Sequence, residues 1–322
     1  MTALLDCQHL DVRFRTDQGE VCAVNDLSFE IQAGECLGIV GESGSGKSQT
    51  MLAMLGLLAD NGYATGAVRY RGRDILNLQR RELDRLRGNR LAMVFQDALS
   101  GLTPTMRIGD QLSESLIRHR GLGRSAARAK VLEMLEIVKI PAPDQRYRAY
   151  PFELSGGMRQ RVMIAMAMLC QPEVLICDEP TTALDVTVQA QILRLLDGLK
   201  RHTGTAIILI THDLGVVAGL CDRVLIMYGG RAVELGNTAD IYAAPRHPYT
   251  TGLLRSVPTL GGDPAEDLPA IPGQPPNLEQ LGPGCAFAPR CELAIDACQA
   301  TSPELAAVGP AHLAACHRIR AE

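Results

Sequence analysis

The residues with the clearest chemical meaning form one glycine-rich stretch, Gly-Glu-Ser-Gly-Ser-Gly-Lys-Ser, at positions 41–48. It matches the phosphate-loop pattern G-x-x-x-x-G-K-[ST] and follows a short apolar run, Cys36–Val40. Glycines let backbone N–H groups turn toward phosphate oxygens, and the start of a following helix adds partial positive charge. Lys47 would bind the β- and γ-phosphates and Ser48 would bind Mg²⁺. The stretch predicts a nucleoside triphosphate site that uses Gly41, Ser43, Gly44, Ser45, Gly46, Lys47 and Ser48.

Two adjacent carboxylates, Asp178 and Glu179, follow a second apolar run at 174–177. Successive side chains of a strand point to opposite sides, so one carboxylate can bind Mg²⁺ while the next faces an attacking water. We assign the metal role to Asp178 and the general base to Glu179. His212 follows a third apolar run, 206–210. Because the carboxyl ends of parallel strands share one edge, the sequence predicts that His212 lies beside the phosphates.

A second candidate anion site begins at Ser155, in the stretch Leu-Ser-Gly-Gly-Met at 154–158. A strongly apolar helical segment follows at 162–169. Serine is a favoured N-cap residue, so the structural interpretation is that Ser155 caps this helix. An exposed helix N-terminus also attracts phosphate. The two interpretations are compatible, because an exposed cap can also bind an anion.

The elements that must position these residues follow an α/β pattern. Partial alternation of apolar residues over the first thirty positions predicts strands, and the three apolar runs are typical of buried parallel strands. Helical segments at 47–58 and 186–200 alternate with these runs, which favours a parallel sheet. Residues 80–140 combine charge with a helical period and predict a helical insertion. From about residue 244 prolines accumulate and periodicity is lost, which predicts a linker or extended arm.

Composition excludes several classes of partner. The chain has 322 residues, 46% of them hydrophobic, and its 32 basic and 36 acidic residues give a net charge of −4. Nucleic acids and anionic membranes select clustered Lys and Arg, so neither is expected as a partner. With five Phe, seven Tyr and no Trp, the chain is too poor in aromatic residues for a base-stacking platform. No apolar run approaches the ~18 residues of a spanning helix, and no export signal is readable, which predicts a cytoplasmic location.

Four of the ten cysteines crowd near the end of the chain, with spacings C-x5-C-x6-C-x17-C. Structural zinc sites usually show paired C-x2–4-C knuckles, which this pattern lacks. Four widely spaced thiolates suit a [4Fe–4S] cluster at least as well. His317, next to Cys316, keeps a mixed zinc site open, and four reduced cysteines in a small packed cap are a third alternative. Our hypothesis is an iron–sulfur cluster on Cys285, Cys291, Cys298 and Cys316.

Taken in order, the phosphate loop, the stretch 154–160 and the stretch 174–185 resemble the nucleotide-binding subunit of ATP-binding-cassette transporters. Gln96 and His212 complete the set, and the resemblance covers roughly residues 5–240. It implies an α/β fold with a P-loop (RecA-like) core, an antiparallel β subdomain and a helical subdomain at about 97–160. The expected domains are the ATPase domain, 1–244, and a Pro-rich, irregular C-terminal extension with four cysteines, 245–322.

The resemblance also implies roles for individual residues. Two such subunits would sandwich two ATP molecules, with Ser155 and Gly157 contacting the γ-phosphate held by the opposite subunit and Asp185 lining the seam. Phe14 would stack on adenine. Gln96 would link Mg²⁺ to the permease. The residues implied for catalysis are Glu179, His212, Gln96 and Lys47. Those implied for Mg²⁺ are Ser48, Gln96 and Asp178, and Gly156 is implied in nucleotide binding together with Ser155 and Gly157.

Narrower stretches, 178–191, 245–250 and 271–276, are similar to the oligopeptide/dipeptide importers. This implies an ATPase that energises peptide import from the cytoplasmic face of the inner membrane, as a peripheral subunit. The implied partners are a second ATPase subunit of a different chain, two membrane permease subunits and an extracytoplasmic peptide-binding protein; a homodimer stays open. Residues 98–104 depart from the subfamily's usual Pro-Met-Thr-Ser-Leu-Asn-Pro. Import of nickel or glutathione, and a soluble cassette ATPase without a transport role, therefore remain alternatives.

Overall fold

The computed structural model describes residues 3–17, 19–97, 101–182, 184–257 and 270–319. These residues belong to two compact units. The first comprises Met1–Gln32, Cys36–Asn77 and Ile210–Glu322, and the second comprises Ala33–Glu35 and Leu78–Leu209. Within the described ranges, no helix has both the length and the apolar character needed to cross a bilayer.

The strands are, in chain order, β1 (Leu5–Thr16), β2 (Gly19–Ile31), β3 (Cys36–Val40), β4 (Gly62–Tyr70), β5 (Arg73–Asp74), β6 (Leu91–Val94), β7 (Val174–Asp178), β8 (Ala206–Thr211), β9 (Arg223–Tyr228), β10 (Arg231–Asn237), β11 (Ala306–Gly309) and β12 (His312–Ala314). The α-helices are α1 (Lys47–Met54), α2 (Arg80–Leu86), α3 (Ile108–Arg120), α4 (Arg124–Ile137), α5 (Pro143–Arg148), α6 (Gly156–Met168), α7 (Val186–Thr203), α8 (Leu214–Leu220), α9 (Thr238–Ala243), α10 (Pro248–Arg255) and α11 (Asp296–Ala300).

In the first unit, an antiparallel sheet has the strand order β2-β1-β4-β5. The alternation along β1 is only partial because the register shifts between Cys7 and Leu10, where His9 has a φ of 48°. Cys7 and Leu10 are both buried as a result, although they are three positions apart. This sheet is the expected antiparallel β subdomain.

The strand that leads into the phosphate loop also belongs to the first unit. All five residues of β3 are buried, which explains why they form an unbroken apolar run. β3 pairs in parallel with β9, and β9 pairs antiparallel with β10. β12 then pairs with β10, and β11 with β12. The end of the chain therefore extends the sheet that contains β3.

The C-terminal extension is more regular than the sequence suggests. It contains α10, α11 and the β11–β12 hairpin in addition to irregular segments. Strands of three and four residues are too short to show an alternating pattern in the sequence. Pro248 suggests a loop, but it stands at the start of α10, where the fixed φ of proline suits the first turn of a helix. The division of the chain at 244/245 stays a prediction.

In the second unit, β6 pairs in parallel with β7, in the order β8-β7-β6. Helices α2, α3 and α4 fall within 80–140, where a helical insertion is expected. Helices α5 and α6 follow it, and α6 is apolar and largely buried. The strand β6 lies within 80–140 and was not expected; its four residues are too few to distinguish a strand from a helix by pattern. Residues 98–100, in the segment that departs from the importer pattern, lie outside the described residues.

Candidate active site

The phosphate loop of the first unit joins the end of β3 to the start of α1. Gly44 and Gly46 have φ angles of +80° and +98°, a region that favours glycine. A Cβ at Gly46 would lie 2.4 Å from the carbonyl oxygen of Ala23, and one at Gly41 would lie 2.3 Å from that of Met227. The glycines of the motif are therefore needed both for the turn and for the close approach of neighbouring strands.

The ammonium group of Lys47 is held inside this loop, and the residue is 6% exposed. Its Nζ donates to the carbonyl oxygens of Gly41, at 2.7 Å, and Glu42, at 2.9 Å, and lies 3.4 Å from Ser45 Oγ. These contacts fix the positive charge among backbone groups of the loop. The strand, loop and helix have the arrangement that a phosphate-binding loop requires.

His212 and Phe14 are the remaining candidates in the first unit. His212 is exposed and directly follows β8, and Asp213 then caps α8 by accepting a hydrogen bond from the backbone of Gly215 at 2.8 Å. Phe14 is half-buried on β1, with its ring over Gly62, where a Cβ would lie 2.6 Å from the ring. The roles of His212 at the γ-phosphate and of Phe14 at adenine stay predictions.

In the second unit, the two predicted carboxylates stand where β7 ends. Asp178 is the last residue of the strand and is buried, and Glu179 is half-buried with a φ of 45°. Left-handed backbone at a non-glycine residue is strained, and such strain concentrates at functional sites. The strand-to-turn transition thus turns the Glu179 side chain away from the path of the strand.

The carboxylate of Glu179 is held by two side chains. Its Oε2 accepts a hydrogen bond from Gln96 Nε2 at 3.1 Å and another from Thr182 Oγ1 at 2.8 Å. Gln96 follows β6, which lies beside β7 in the sheet. The structure therefore brings together two of the predicted catalytic residues, and adds Thr182 to them.

Two helix N-termini lie side by side elsewhere in the second unit. Ser155 caps α6 by accepting a hydrogen bond from the Met158 backbone at 3.4 Å, and Asp185 caps α7 by accepting one from Val188 at 3.0 Å. A Cβ at Gly157 would lie 2.8 Å from Val188 Cγ1, so the small residue lets the two helix starts approach closely. Ser155, Gly156 and Asp185 are exposed. Ser155 thus caps α6 as the sequence predicts; the anion contact at this helix end and the place of Asp185 at a seam stay predictions.

The four C-terminal cysteines are in the first unit. Burial raises the pKa of the Cys285 thiol, and negative charge at Cys298 and Cys316 adds to the increase. Burial likewise raises the pKa of Cys291, with further contributions from the same two cysteines. The backbone N–H of Cys285 donates to the carbonyl of Cys298 at 2.8 Å. Across the described part of the chain, however, no group of three or more His, Cys, Asp or Glu side chains is arranged to hold a metal ion.

Three residues at the site were not identified as candidates from the sequence. Thr182 contacts the predicted base. Its position three residues after Glu179 is a sequence signal for this contact, since threonine hydroxyls often form hydrogen bonds to groups nearby in the chain. Tyr249 and Arg290, from the C-terminal extension, contact Glu42 of the phosphate loop. Tyr249 lies in the stretch 245–250, which the sequence indicates only as similar to the peptide importers.

Three features together define the class of ATP-binding cassettes. They are a phosphate loop that follows the buried strand β3 and holds its lysine inside, an acidic pair at the end of the buried strand β7, and the glycine-rich stretch 154–158 at a capped helix start. The ABC transporter family matches residues 24–182, and the family described as oligopeptide/dipeptide transporter, C-terminal region, matches residues 233–298. The chain belongs to the ABC transporter family of ATP-binding proteins, in its oligopeptide/dipeptide transporter group.

Known relatives match almost the whole chain. The oligopeptide transport ATP-binding protein OppD of Salmonella typhimurium is 55% identical over 315 residues, which are 98% of this chain and 93% of the relative. The dipeptide transport ATP-binding protein DppD of Bacillus subtilis is 46% identical over 318 residues, 98% of this chain and 95% of the relative.

Solved structures agree on the fold. A dimeric ATP-binding cassette in a post-hydrolysis state, bound to ADP and Pi, superposes with a TM-score of 0.66 and 26% identity, over 73% of this chain and 98% of that one. A Clostridium perfringens subunit that is part of the cbiONQ ABC transporter complex gives a TM-score of 0.64 and 27% identity, over 76% of this chain and 92% of that one. The expected α/β P-loop cassette fold is confirmed.

Proposed function

We propose that this chain is the ATP-hydrolysing subunit that energises import of peptides through separate membrane permease subunits. The observation that carries the proposal is the Glu179 carboxylate, held by Gln96 and Thr182 in a chain whose phosphate loop is complete. A base held in a fixed orientation is what in-line attack of water on a γ-phosphate requires. The similarity to oligopeptide and dipeptide transport proteins supports peptides as the cargo.

The residues then have distinct chemical tasks. The phosphate loop and Lys47 bind the β- and γ-phosphates of ATP, and Ser48 and Asp178 are the protein groups that would hold Mg²⁺, with Gln96 linking it to the permease. Bound Mg²⁺ supplies neutralisation of the charge that develops on the phosphates. Glu179 takes a proton from the attacking water, and His212 positions the γ-phosphate. The hydroxyl and carboxylate oxygens of Ser48 and Asp178 are ligand types that Mg²⁺ prefers.

We propose that a second ATPase subunit covers the surface formed by Ser155, Gly157 and Asp185. Ser155 and Gly157, at the exposed N-terminus of α6, would contact the γ-phosphate bound by the other subunit, and Asp185 would line the seam. Val186, next to Asp185, has 83% of its area exposed and would be covered by the second subunit. The solved relative with ADP and Pi is itself dimeric, which supports the arrangement. The second subunit is expected to be a different chain.

The remaining partners follow from the transport role. They are two membrane permease subunits and an extracytoplasmic peptide-binding protein, with this chain attached to the cytoplasmic face of the inner membrane. The group of relatives named for oligopeptide and dipeptide transport supports this assembly. Nucleic acid is not expected as a partner, because the net charge of −4 lacks the basic excess that phosphate backbones select.

The test of the cargo is ATP turnover by the whole transporter in lipid vesicles. The chain is co-purified with its permease subunits and their binding protein, and phosphate release is measured with and without a mixed tetrapeptide pool. Stimulation of several-fold by peptide, and not by free amino acids, Ni²⁺ or glutathione, is expected. Stimulation only by Ni²⁺ or glutathione would show that this solute, and not a peptide, is the cargo. Turnover that no membrane partner affects would refute a transport role.

We also propose that Cys285, Cys291, Cys298 and Cys316 bind a [4Fe–4S] cluster. Each iron of such a cluster takes one cysteine, so the four thiols need not converge on one point. Negative charge at Cys298 and Cys316 raises the pKa of both Cys285 and Cys291, so the thiols lie near enough to influence one another. Bound, the cluster would cross-link the extension, and no step of ATP hydrolysis uses it.

Anaerobic purification of the full chain tests this second proposal. Broad absorption in the iron–sulfur charge-transfer region, with about four irons and four sulfides per chain, is expected. Replacement of Cys298 by serine should remove the absorption, whereas replacement of the distant Cys7 by serine should keep it. One equivalent of zinc, or four titratable free thiols without iron, would overturn the cluster assignment.

A further inference from the structure

The C-terminal extension contacts the phosphate loop through one ion pair. Arg290 places its guanidinium against the carboxylate of Glu42, the second residue of the loop, with distances of 2.6 and 3.1 Å between the two nitrogens and the two oxygens. The Arg290 side chain is only 7% exposed. Two parallel, charge-assisted hydrogen bonds of this kind fix direction as well as distance.

The other donors of Arg290 are also engaged. Nη1 donates to the hydroxyl of Tyr228 at 3.1 Å, Nη2 to the carbonyl oxygen of Ile271 at 3.3 Å, and Nε to that of Pro272 at 2.8 Å. The guanidinium is therefore held by the arm that precedes it and by β9. Burying an ion pair in this way has a large desolvation cost and stabilises a fold weakly, so its main effect is on geometry.

A second contact holds the backbone of the same loop residue. The N–H of Glu42 donates to the hydroxyl of Tyr249 at 2.9 Å, and Tyr249 is fully buried. Its ring packs against Tyr228 and Phe287, with centroids 4.6 and 5.4 Å away. Phe287 is three positions before Arg290, so both contacts to Glu42 come from one packed aromatic cluster.

Glu42 in turn contacts the lysine of the loop, because its carbonyl oxygen accepts a hydrogen bond from Lys47 Nζ at 2.9 Å. We propose that Arg290 and Tyr249 are positioning residues for the phosphate loop. They hold Glu42 by its side chain and its amide, and Glu42 holds Lys47 where a β/γ-phosphate binds. This inference rests on the proposed ATPase function and makes the C-terminal extension part of the ATP site.

The expected kinetic signature is a change in KM for ATP. Without Arg290, the loop occupies its binding-competent conformation for a smaller fraction of the time, and apparent affinity falls by that fraction. Once ATP is bound, its phosphates reorder the loop, so kcat changes little. We expect Arg290→Gln to raise KM about tenfold and to leave kcat within about twofold. A role limited to packing would lower the melting temperature and leave KM unchanged.

The experiment measures KM and kcat for Mg-ATP of the assembled transporter, in a set of variants of the full chain. Arg290→Gln, Glu42→Gln and the double variant form a cycle, and we expect the double variant to have a KM no higher than the worse single variant. Arg290→Lys keeps the charge without the fork and should recover only part of the affinity. Arg90→Gln, which breaks the ion pair to Glu173 at 3.0 Å, is the matched control and should keep the wild-type KM.

Tyr249→Phe provides a test that does not depend on how well Arg290→Gln folds. It removes the acceptor for the Glu42 amide, keeps the ring, and should raise KM several-fold. Wild-type KM in both Arg290→Gln and Tyr249→Phe, or fold-changes that simply multiply in the cycle, would overturn the inference while leaving the ATPase function intact. An assembled wild-type transporter that hydrolyses no ATP would instead refute the proposed function itself.

Discussion

Gln96 and Glu179 lie 83 positions apart in the chain, yet the Gln96 amide donates to the Glu179 carboxylate at 3.1 Å. The register of the sheet explains this contact. Val94 of β6 pairs with Cys177 of β7, and each of the two polar residues comes two positions after its member of that pair. Parallel pairing therefore brings the glutamine and the glutamate to equivalent heights. The backbone register thus brings the predicted base and its hydrogen-bond donor together.

Replacing Glu179 by glutamine should stop turnover while preserving ATP binding. The substitution keeps the size and the hydrogen-bonding shape of the side chain but removes the proton acceptor, whose loss typically costs 10²–10⁴-fold in rate. We expect phosphate release to fall by about a hundredfold or more, with the Kd for ATP, measured by equilibrium dialysis, within about threefold of wild type. Glu173→Gln, just before the same strand, is the control and should retain activity. Near-normal turnover in Glu179→Gln would show that another group is the base.

Thr182 should matter through its hydroxyl group. Its Oγ1 donates to Glu179 Oε2 at 2.8 Å, and a hydrogen bond to a charged group in a half-exposed position is worth about 1 kcal/mol. Thr182→Val keeps the shape and should lower kcat roughly five-fold. Thr182→Ser restores the donor and should return kcat to near the wild-type value. Equal rates in the valine and serine variants would mean that the hydroxyl does not orient the base.

The contact between the starts of α6 and α7 predicts a difference between two adjacent glycines. A methyl group at Gly157 would meet Val188 Cγ1 at 2.8 Å, whereas one at Gly156 would lie 3.8 Å from Leu184. Gly157→Ala should therefore reduce the free energy of unfolding by about 1–3 kcal/mol, as expected for overpacking. Gly156→Ala should change it by less than about 0.5 kcal/mol. Urea denaturation measures both, and adding Val188→Ala to Gly157→Ala should recover most of the loss.

His247 should make stability depend on pH. Burial lowers its pKa from 6.5 to about 4, and its Nδ1 accepts a hydrogen bond from the Tyr249 backbone at 3.1 Å, which requires the neutral ring. Between these two pKa values the unfolded chain binds a proton that the folded chain does not. The neutral His247 ring therefore makes its full contribution to the free energy of unfolding above pH 6.5. That contribution is lost as the pH falls toward 4, by about 3 kcal/mol in total.

The variant His247→Asn isolates this effect, because asparagine can cap α10 but does not titrate. Denaturation at a series of pH values should show a shallower loss of stability between pH 6.5 and 4 in the variant than in the wild type. Parallel curves for the two proteins would contradict the assignment of this window to His247.

Local patterns were sufficient for much of the fold and the site. β3 occupies the apolar run that precedes the phosphate loop, and Ser155 caps α6 as its residue type suggests. The predicted helix at 47–58 ends earlier, at Met54, because nothing in the local sequence marks where packing stops the helix. The Arg290–Glu42 pair joins residues 248 positions apart, and no local period carries such information. Long-range polar contacts depend on the whole fold, and these are the features that the sequence did not reveal.

The pairing of β12 with β10 has a practical consequence for anyone who shortens this chain. A chain that ends before residue 245 lacks β12, so one edge of β10 has no pairing strand. Unpaired strand edges promote aggregation. Ending the chain there would also remove His312, which lies 2.7 Å from the fully buried Glu234 carboxylate, and so break that contact. If such a shortened chain is insoluble, the cause is the incomplete sheet, because the C-terminal extension is part of the folded core.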